Sequence, residues 1–151
     1  MKKNIYGVLE QLNNILSSRE SFKTLEQKLT EFSLLAAAHL GDMNASNKPG
    51  SLKKDEKQFT VAGFFMHLRD DQKSVLFAET GFPPEQHRLI IPDSLGHPGW
   101  VVKNEQPLLL ENTDEHSNFE QILKTARMGS AMYSPLTLHG KFVGQFITAS
   151  Q

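Results

Sequence analysis

The first part of the chain carries apolar residues at the spacing of an α-helix. Four of them recur at intervals of three and four residues: Ile5, Val8, Leu12 and Ile15. Charged and amide side chains occupy the opposite side, so the pattern predicts an amphipathic helix within residues 1–18. A stripe this narrow is typical of a coiled-coil seam.

A second helix is predicted after a break in this pattern. Ser17 and Glu20 have the spacing of a capping box, in which each side chain binds the backbone N–H of the other residue. Apolar positions then continue at helical spacing from Phe22 to Ala36, and Gly41 gives a stop signal. One long bent helix through both segments is the alternative.

The middle of the chain changes to the patterns of β-strands. A polar segment at 46–58 predicts a loop before Thr60–Leu68, which is apolar on both alternating sides. A strand of that kind needs cover on both faces of its sheet. Ser74–Glu79 predicts the next strand, and the turn residues between the two strands favour a hairpin.

The remaining elements are shorter until a clear hairpin at the end. Short helices are expected near 84–89 and 99–104, a short strand at Leu108–Asn112 and a further helix at Phe119–Ala126. Ser130–Leu138 and Lys141–Ala149 are apolar segments separated only by His139 and Gly140, a two-residue turn that suits a β-hairpin. Helices followed by strand pairs predict an α+β fold with a central, mainly antiparallel sheet of about five to six strands.

Composition removes several classes of function. The chain has 151 residues, a formal net charge of -1 and no cysteine. Disulfides, cysteine-bound metals and thiol nucleophiles are therefore excluded. A neutral chain lacks the basic surface that binds phosphate backbones, so we expect no nucleic-acid partner. No apolar run approaches the roughly 20 residues that cross a bilayer, so we expect no membrane partner and a cytoplasmic location.

Three segments of the sequence resemble the GAF domain family of small-molecule sensors. The first is Gly96–Leu108, in which Gly96 and Gly99 precede an apolar turn and Pro107; Leu110–Asn112 follows it. The second is Met128–Leu136, with four residues between Ser130 and Pro135-Leu136. The third is His139–Gly144. The resemblance extends from Leu25 to Ala149, roughly four fifths of the chain.

The resemblance implies an architecture and a function. It implies a sheet with the N-terminal helices on one face and a mixed loop and helix lid on the other. Residues 1–18 would be a signalling or dimerisation helix and residues 19–151 the GAF-like domain, without the C-terminal helix that family members usually have. The implied function is non-catalytic: a small ligand binds, and the N-terminal helix of a homodimer passes the signal to an effector.

The resemblance also places the ligand site between one sheet face and the insertion from Arg88 to Arg127. Ten residues are candidates to line it: Phe64, Met66, Leu95, His97, Trp100, Asn112, Phe119, Arg127, Ser130 and Met132. Asn112 stands where family members often have an acidic residue. The family branches that hold a bilin or reduce free methionine sulfoxide need a thiol, which this chain lacks.

The identity of the ligand stays open, and no cofactor is assigned. The chain contains six histidines, none paired at helical metal-ligand spacing, and His97 is the one placed beside the expected lid. A haem or iron sensor using His97 is one alternative. Another is a module with no ligand, whose own side chains fill the pocket and which only dimerises.

Overall fold

A computed structural model describes residues 4–18, 23–42, 44–115 and 128–151. These residues form three α-helices and a six-stranded sheet, which confirms the predicted α+β class. The helices are α1 (Ile5–Ser17), α2 (Leu25–His39) and α3 (Gly96–Asn104). The strands are β1 (Thr60–Leu68), β2 (Lys73–Thr80), β3 (Ile90–Pro92), β4 (Leu108–Leu110), β5 (Ser130–Leu138) and β6 (Lys141–Ser150).

The N-terminal segment forms two helices, so the alternative of one long bent helix is wrong. The capping box of α2 is built by Thr24 and Gln27 rather than by Ser17 and Glu20. Ser17 instead closes α1, and Glu20 lies outside the described residues. Among those residues, no helix is both long and apolar enough to cross a bilayer.

The strands follow the order β3-β2-β1-β6-β5-β4, and every neighbouring pair is antiparallel. The predicted final hairpin is present, because β5 pairs with β6 across His139 and Gly140. Both turn residues have positive φ, +50° and +73°, as a primed turn requires. The helix predicted at 119–126 lies outside the described residues.

Helix α2 covers one side of the sheet, which we call the α2 face. Leu29 and Phe32 pack there against Phe64 and Phe146. The ring of Phe32 meets those of Phe64 and Phe146 edge-on, with centroids 5.4 and 5.3 Å away. Such ring pairs stabilise beyond the burial of their area. Helix α1 packs on α2, where its Leu12 is buried.

The other side of the sheet, the α3 face, holds the larger hydrophobic core. Phe65 and Leu76 from the sheet are fully buried there, together with Val101 of α3 and Leu110 of β4. Each of these side chains contributes about 2 kcal/mol by leaving water. Because β1 alternates Phe64 and Phe65 between the two cores, both sides of this strand are apolar, as its sequence predicts.

Candidate functional site

Two glycines shape the first turn of α3 and its contact with the segment before it. A Cβ on Gly99 would lie 2.4 Å from the backbone oxygen of Asp93, so only glycine permits this contact. Gly96 opens the helix with φ +39°, a conformation that other residues rarely adopt. The two glycines, noted in the sequence, thus set how the first turn of α3 packs on the segment that precedes it.

Gln145 lies in the middle of β6, and its side chain is fully buried against that first turn. Its Nε2 donates a hydrogen bond of 3.0 Å to the backbone oxygen of Pro98. Only the amide nitrogen can donate to a carbonyl, so this bond fixes the orientation of the side chain. The buried Oε1 atom accepts no hydrogen bond from any described residue.

Two further polar side chains lie close to Gln145. Tyr133 on β5 occupies the same face, one step away diagonally in the antiparallel register. Burial raises the pKa of Tyr133 well above its ordinary value, because the phenolate would lose its hydration. The imidazole of His97, in the first turn of α3, lies 6.4 Å from the tyrosine ring, and its Nδ1 atom is buried.

A second polar cluster joins the sheet to the segment before α3. His67 and Ser74 are directly opposite each other on β1 and β2. The hydroxyl of Ser74 donates to Oδ1 of Asp93 at 3.4 Å, and Nδ1 of His67 is 3.5 Å from the same oxygen. The serine therefore bonds to the carboxylate rather than to the histidine, unlike a hydrolase triad in which histidine takes the proton of the serine.

The two clusters place a few polar groups in an otherwise apolar interior. This composition is typical of small-molecule sites, in which apolar walls give affinity and a few hydrogen-bonding groups give orientation. Within the described part of the chain, no group of three or more histidine and carboxylate side chains is placed to hold a metal ion. We take the cluster of Gln145, Tyr133 and His97 as the candidate site and call it the α3-face site, because Oε1 of Gln145 is a buried acceptor that accepts no hydrogen bond from a described residue.

Three of the ten residues selected from the sequence belong to α3 or its start. Leu95 packs against the core of the α3 face. His97 belongs to the candidate site, whereas Trp100 is 42% exposed on the outer side of the helix. Phe64 and Met66 point to the opposite, α2 face, so they do not meet the other three.

The remaining residues lie elsewhere. Ser130 and Met132 alternate with the core residues of β5 and therefore also lie on the α2 face. Asn112 follows β4 and donates a hydrogen bond of 2.8 Å to Glu115. Phe119 and Arg127 lie outside the described residues. The eight candidates that the structure describes therefore do not line one pocket, because four of them lie on the α2 face.

Sequence reasoning missed Gln145 and Tyr133. Within Lys141–Ser150, Gln145 is a single large polar residue between Gly144 and Phe146. A single polar residue in an apolar strand ordinarily marks the side of the strand that faces solvent. This strand, however, is covered on both faces. An uncharged amide that interrupts a strand buried on both sides is the signal that would have identified it.

No protein-family model and no curated protein matches the sequence, whereas solved structures match nearly its whole length. The GAF domain of a phosphoenolpyruvate-protein phosphotransferase from Coxiella burnetii has a TM-score of 0.74 at 18% identity, covering 98% of this chain and 77% of that chain. The GAF domain of the corresponding Acinetobacter protein has a TM-score of 0.69 at 20% identity, covering 99% and 78%.

A third match changes one expectation. Free methionine-R-sulfoxide reductase from Neisseria meningitidis, solved with its substrate, has a TM-score of 0.69 at 15% identity, covering 94% of this chain and 70% of that chain. The expectation of a non-catalytic domain is therefore wrong. An enzyme has the same fold, so the fold does not imply that the chain lacks catalytic activity. Identities this low establish the fold alone.

Proposed function

Because this chain has the GAF fold, we propose that it is a regulatory domain that binds a small molecule at the α3-face site. The ligand would lie between the first turn of α3 and the centre of the sheet. Its binding would alter how α3 docks, and the change would reach an effector through α2 and α1. The Neisseria meningitidis reductase, solved with its substrate, is a neighbour of the same fold that holds a small molecule.

The observation that carries this proposal is the buried oxygen of Gln145. A buried acceptor without a hydrogen-bond donor costs about 1–3 kcal/mol. The side chain is fully buried, and its nitrogen is already bound to Pro98. A ligand that donates an N–H or O–H to Oε1 removes this cost. It also forms a direct link from the ligand, through Gln145, to the backbone of α3.

The contacts of Arg88 support a route from this face to the helices. Its guanidinium donates to the backbone oxygen of Phe77 at 2.8 Å and to Glu26 of α2 at 2.6 Å. It also lies 4.9 Å from the centre of the Phe77 ring. Arg88 immediately precedes the segment that leads into β3 and α3. Arg88 therefore ties the segment that leads into β3 and α3 to the first turn of α2, which supports this route for the proposed signal.

The first experiment compares native and denaturing mass spectra of the purified protein. We expect an additional mass that stays with the folded chain and is lost on denaturation, and this mass would identify the ligand. A native mass equal to that of the bare chain, together with no stabilisation by any compound of a metabolite library, would contradict the proposal.

Two variants locate the ligand. Gln145→Leu removes the proposed ligand contact, so we expect the additional mass to disappear. Thr148→Val removes another buried hydrogen bond of β6, from Thr148 Oγ1 to the backbone oxygen of Val61 at 3.1 Å. This matched variant tests for general damage to the strand, and we expect it to retain the ligand. Equal retention in both variants would remove Gln145 from the site.

A further inference from the structure

Two cavities adjoin at the end of the sheet away from the α3-face site. The polar cavity, about 410 Å³, lies between the 44–58 loop, the segment after β4 and the ends of β5 and β6. The apolar cavity, about 240 Å³, lies between the end of α2, β4 and β5. Ser130 and Ser150 line both cavities, and their hydroxyl oxygens are 3.2 Å apart.

The loop that covers the polar cavity is held by its own hydrogen bonds. Ser51 Oγ donates to the backbone oxygen of Lys48 at 2.8 Å, and the backbone N–H of Lys53 donates to Glu56 at 2.7 Å. Gln58 donates to the backbone oxygen of Asp42 at 3.2 Å. A loop of this length between two elements is uncommon and is usually either functional or a linker. It carries Lys53 to the mouth of the cavity.

Opposite charges stand side by side in the polar cavity. Nζ of Lys53 is 3.1 Å from Oδ2 of Asp114, and both side chains are largely exposed. An exposed ion pair of this kind contributes little stability, so a ligand can open it readily. The carboxylate of Glu111 adds an exposed acceptor beside it.

The spacing of these charges matches one class of small molecule. In an α-amino acid a single carbon separates the ammonium from the carboxylate. Such a molecule can therefore place its carboxylate on Lys53 and its ammonium on Asp114 at the same time. The hydroxyls of Ser130 and Ser150 line both cavities and so stand between the charged pair and the apolar walls.

The apolar cavity supplies a place for a side chain. Leu40, Leu109 and Met132 line it. Leu109 is 62% exposed and Met132 is 40% exposed, which leaves apolar surface in water beside the polar cavity. Covering such surface is favourable in proportion to the area buried.

We propose that the two cavities together bind a free α-amino acid with an aliphatic side chain. The zwitterionic group occupies the polar cavity between Lys53 and Asp114, and the side chain lies against Leu109 and Met132 in the apolar cavity. The site is separate from Gln145, which lies on the opposite face of the sheet. Its existence does not depend on the ligand of the α3-face site.

The test follows the backbone amide NMR signals of the ¹⁵N-labelled full chain during titration with L-leucine. We expect saturable shifts at Gly129, Ser130 and Ser150 and none around Gln145. Glycine, which lacks the side chain, 4-methylpentanoate, which lacks the ammonium, and isopentylamine, which lacks the carboxylate, should each bind about tenfold more weakly, as the loss of one charged hydrogen bond or one buried aliphatic group predicts.

Variants separate the two halves of the site. Lys53→Met should weaken leucine binding about tenfold by removing one charged contact, whereas Lys54→Met, its matched neighbour, should leave binding unchanged. Met132→Ser should weaken leucine but not glycine. No saturable shift at the highest soluble concentration, shifts confined to the surroundings of Gln145, equal effects of the two lysine variants, or equal binding of 4-methylpentanoate would each overturn the proposal.

Discussion

Tyr133 links a single buried side chain to the pH dependence of stability. Its pKa is raised in the folded chain by burial, whereas in the unfolded chain it titrates near the ordinary value of about 10. At a pH between these two pKa values, the folded state keeps the phenol proton of Tyr133 and the unfolded state releases it. The contribution of Tyr133 to the free energy of unfolding is therefore complete below about pH 10 and falls by up to about 1.4 kcal/mol per pH unit above it.

Urea unfolding measured from neutral to alkaline pH checks this prediction. Lysines also deprotonate in that range, so the informative quantity is a difference between variants. Tyr133→Phe should lose less stability than the wild type as the pH rises. Tyr6→Phe, which changes the 81% exposed tyrosine of α1, should follow the wild type. If the free energy of unfolding of Tyr133→Phe falls as steeply with rising pH as that of the wild type, Tyr133 is not the source of the pH dependence.

Gly144 is required by the close approach of β6 to β1. A Cβ at this position would lie 2.4 Å from the backbone oxygen of Phe65, in the middle of the sheet where neither strand can move aside. We expect Gly144→Ala to lower the free energy of unfolding by about 3 kcal/mol, at the upper end of overpacking costs.

Gly129→Ala is the matched control, since the nearest atom to its Cβ would be 3.4 Å away. It should cost less than about 1 kcal/mol, as for most changes without a steric conflict. Denaturant unfolding of the two variants gives both values. Equal losses would mean that the β1 to β6 contact relaxes to admit a methyl group.

At the scale of elements, the pair of Arg88 and Glu26 fastens the first turn of α2 to the segment before β3. The side chains are 40% and 38% exposed, so the coupling between them should be only about 0.5–1 kcal/mol. Arg88→Glu and Glu26→Arg should each destabilise the protein, and the double variant should recover part of the loss. A double-mutant cycle by denaturant unfolding measures this coupling.

The pair of Lys48 and Asp42 is the matched comparison for this cycle. Its atoms are 2.7 Å apart, but its side chains are more exposed, at 68% and 47%. It also lies within one loop and fastens no helix. Its coupling should be smaller. A cycle with zero coupling for Arg88 and Glu26 would remove that contact from the proposed route between the α3 face and α2.

The long strands were predictable from sequence because each carries a continuous pattern. Thr60–Leu68 and Ser130–Leu138 agree with the structure at both ends. Strand β3 was missed because it has only three residues, and its last residue is a proline, normally a sign of a turn. It forms because it pairs with β2, a long-range contact that local spacing does not reveal.

At the scale of the whole molecule, the fold was predictable and the site was only partly so. Alternation separates the two sides of β1 but does not say which side meets α2. Phe64 and Met66 were therefore placed in the predicted pocket beneath the lid, whereas they lie on the α2 face. Gly96 and Gly99 indicated α3 correctly, since a positive φ at Gly96 and a close backbone approach at Gly99 both require glycine. Gln145 left a weaker signal, a single amide within an apolar strand, because one residue has no periodicity.

Self-association through α1, expected from the sequence, is a prediction that concerns the whole molecule. Packing on α2 buries Leu12 but leaves Ile5, Leu9 and Leu16 exposed at 41%, 51% and 46%. These three residues lie within about 40° of one another around the helix axis, since each residue advances it by 100°. A second copy of the same stripe would cover them, so we expect a homodimer.

Sedimentation of the full chain tests this arrangement. Leu9→Asp combined with Leu16→Asp should shift the wild-type dimer to a monomer with unchanged secondary structure, because each charge would otherwise be buried without a partner at the interface. Leu138→Asp, at a side chain that is 59% exposed beside the final turn, should leave the dimer intact. If the wild type sediments as a monomer, or if Leu138→Asp dissociates the dimer as fully as the α1 variant, the stripe is not the interface. A ligand effect would then have to reach the effector from α2 within one chain, because the contact of Arg88 with Glu26 ends on that helix.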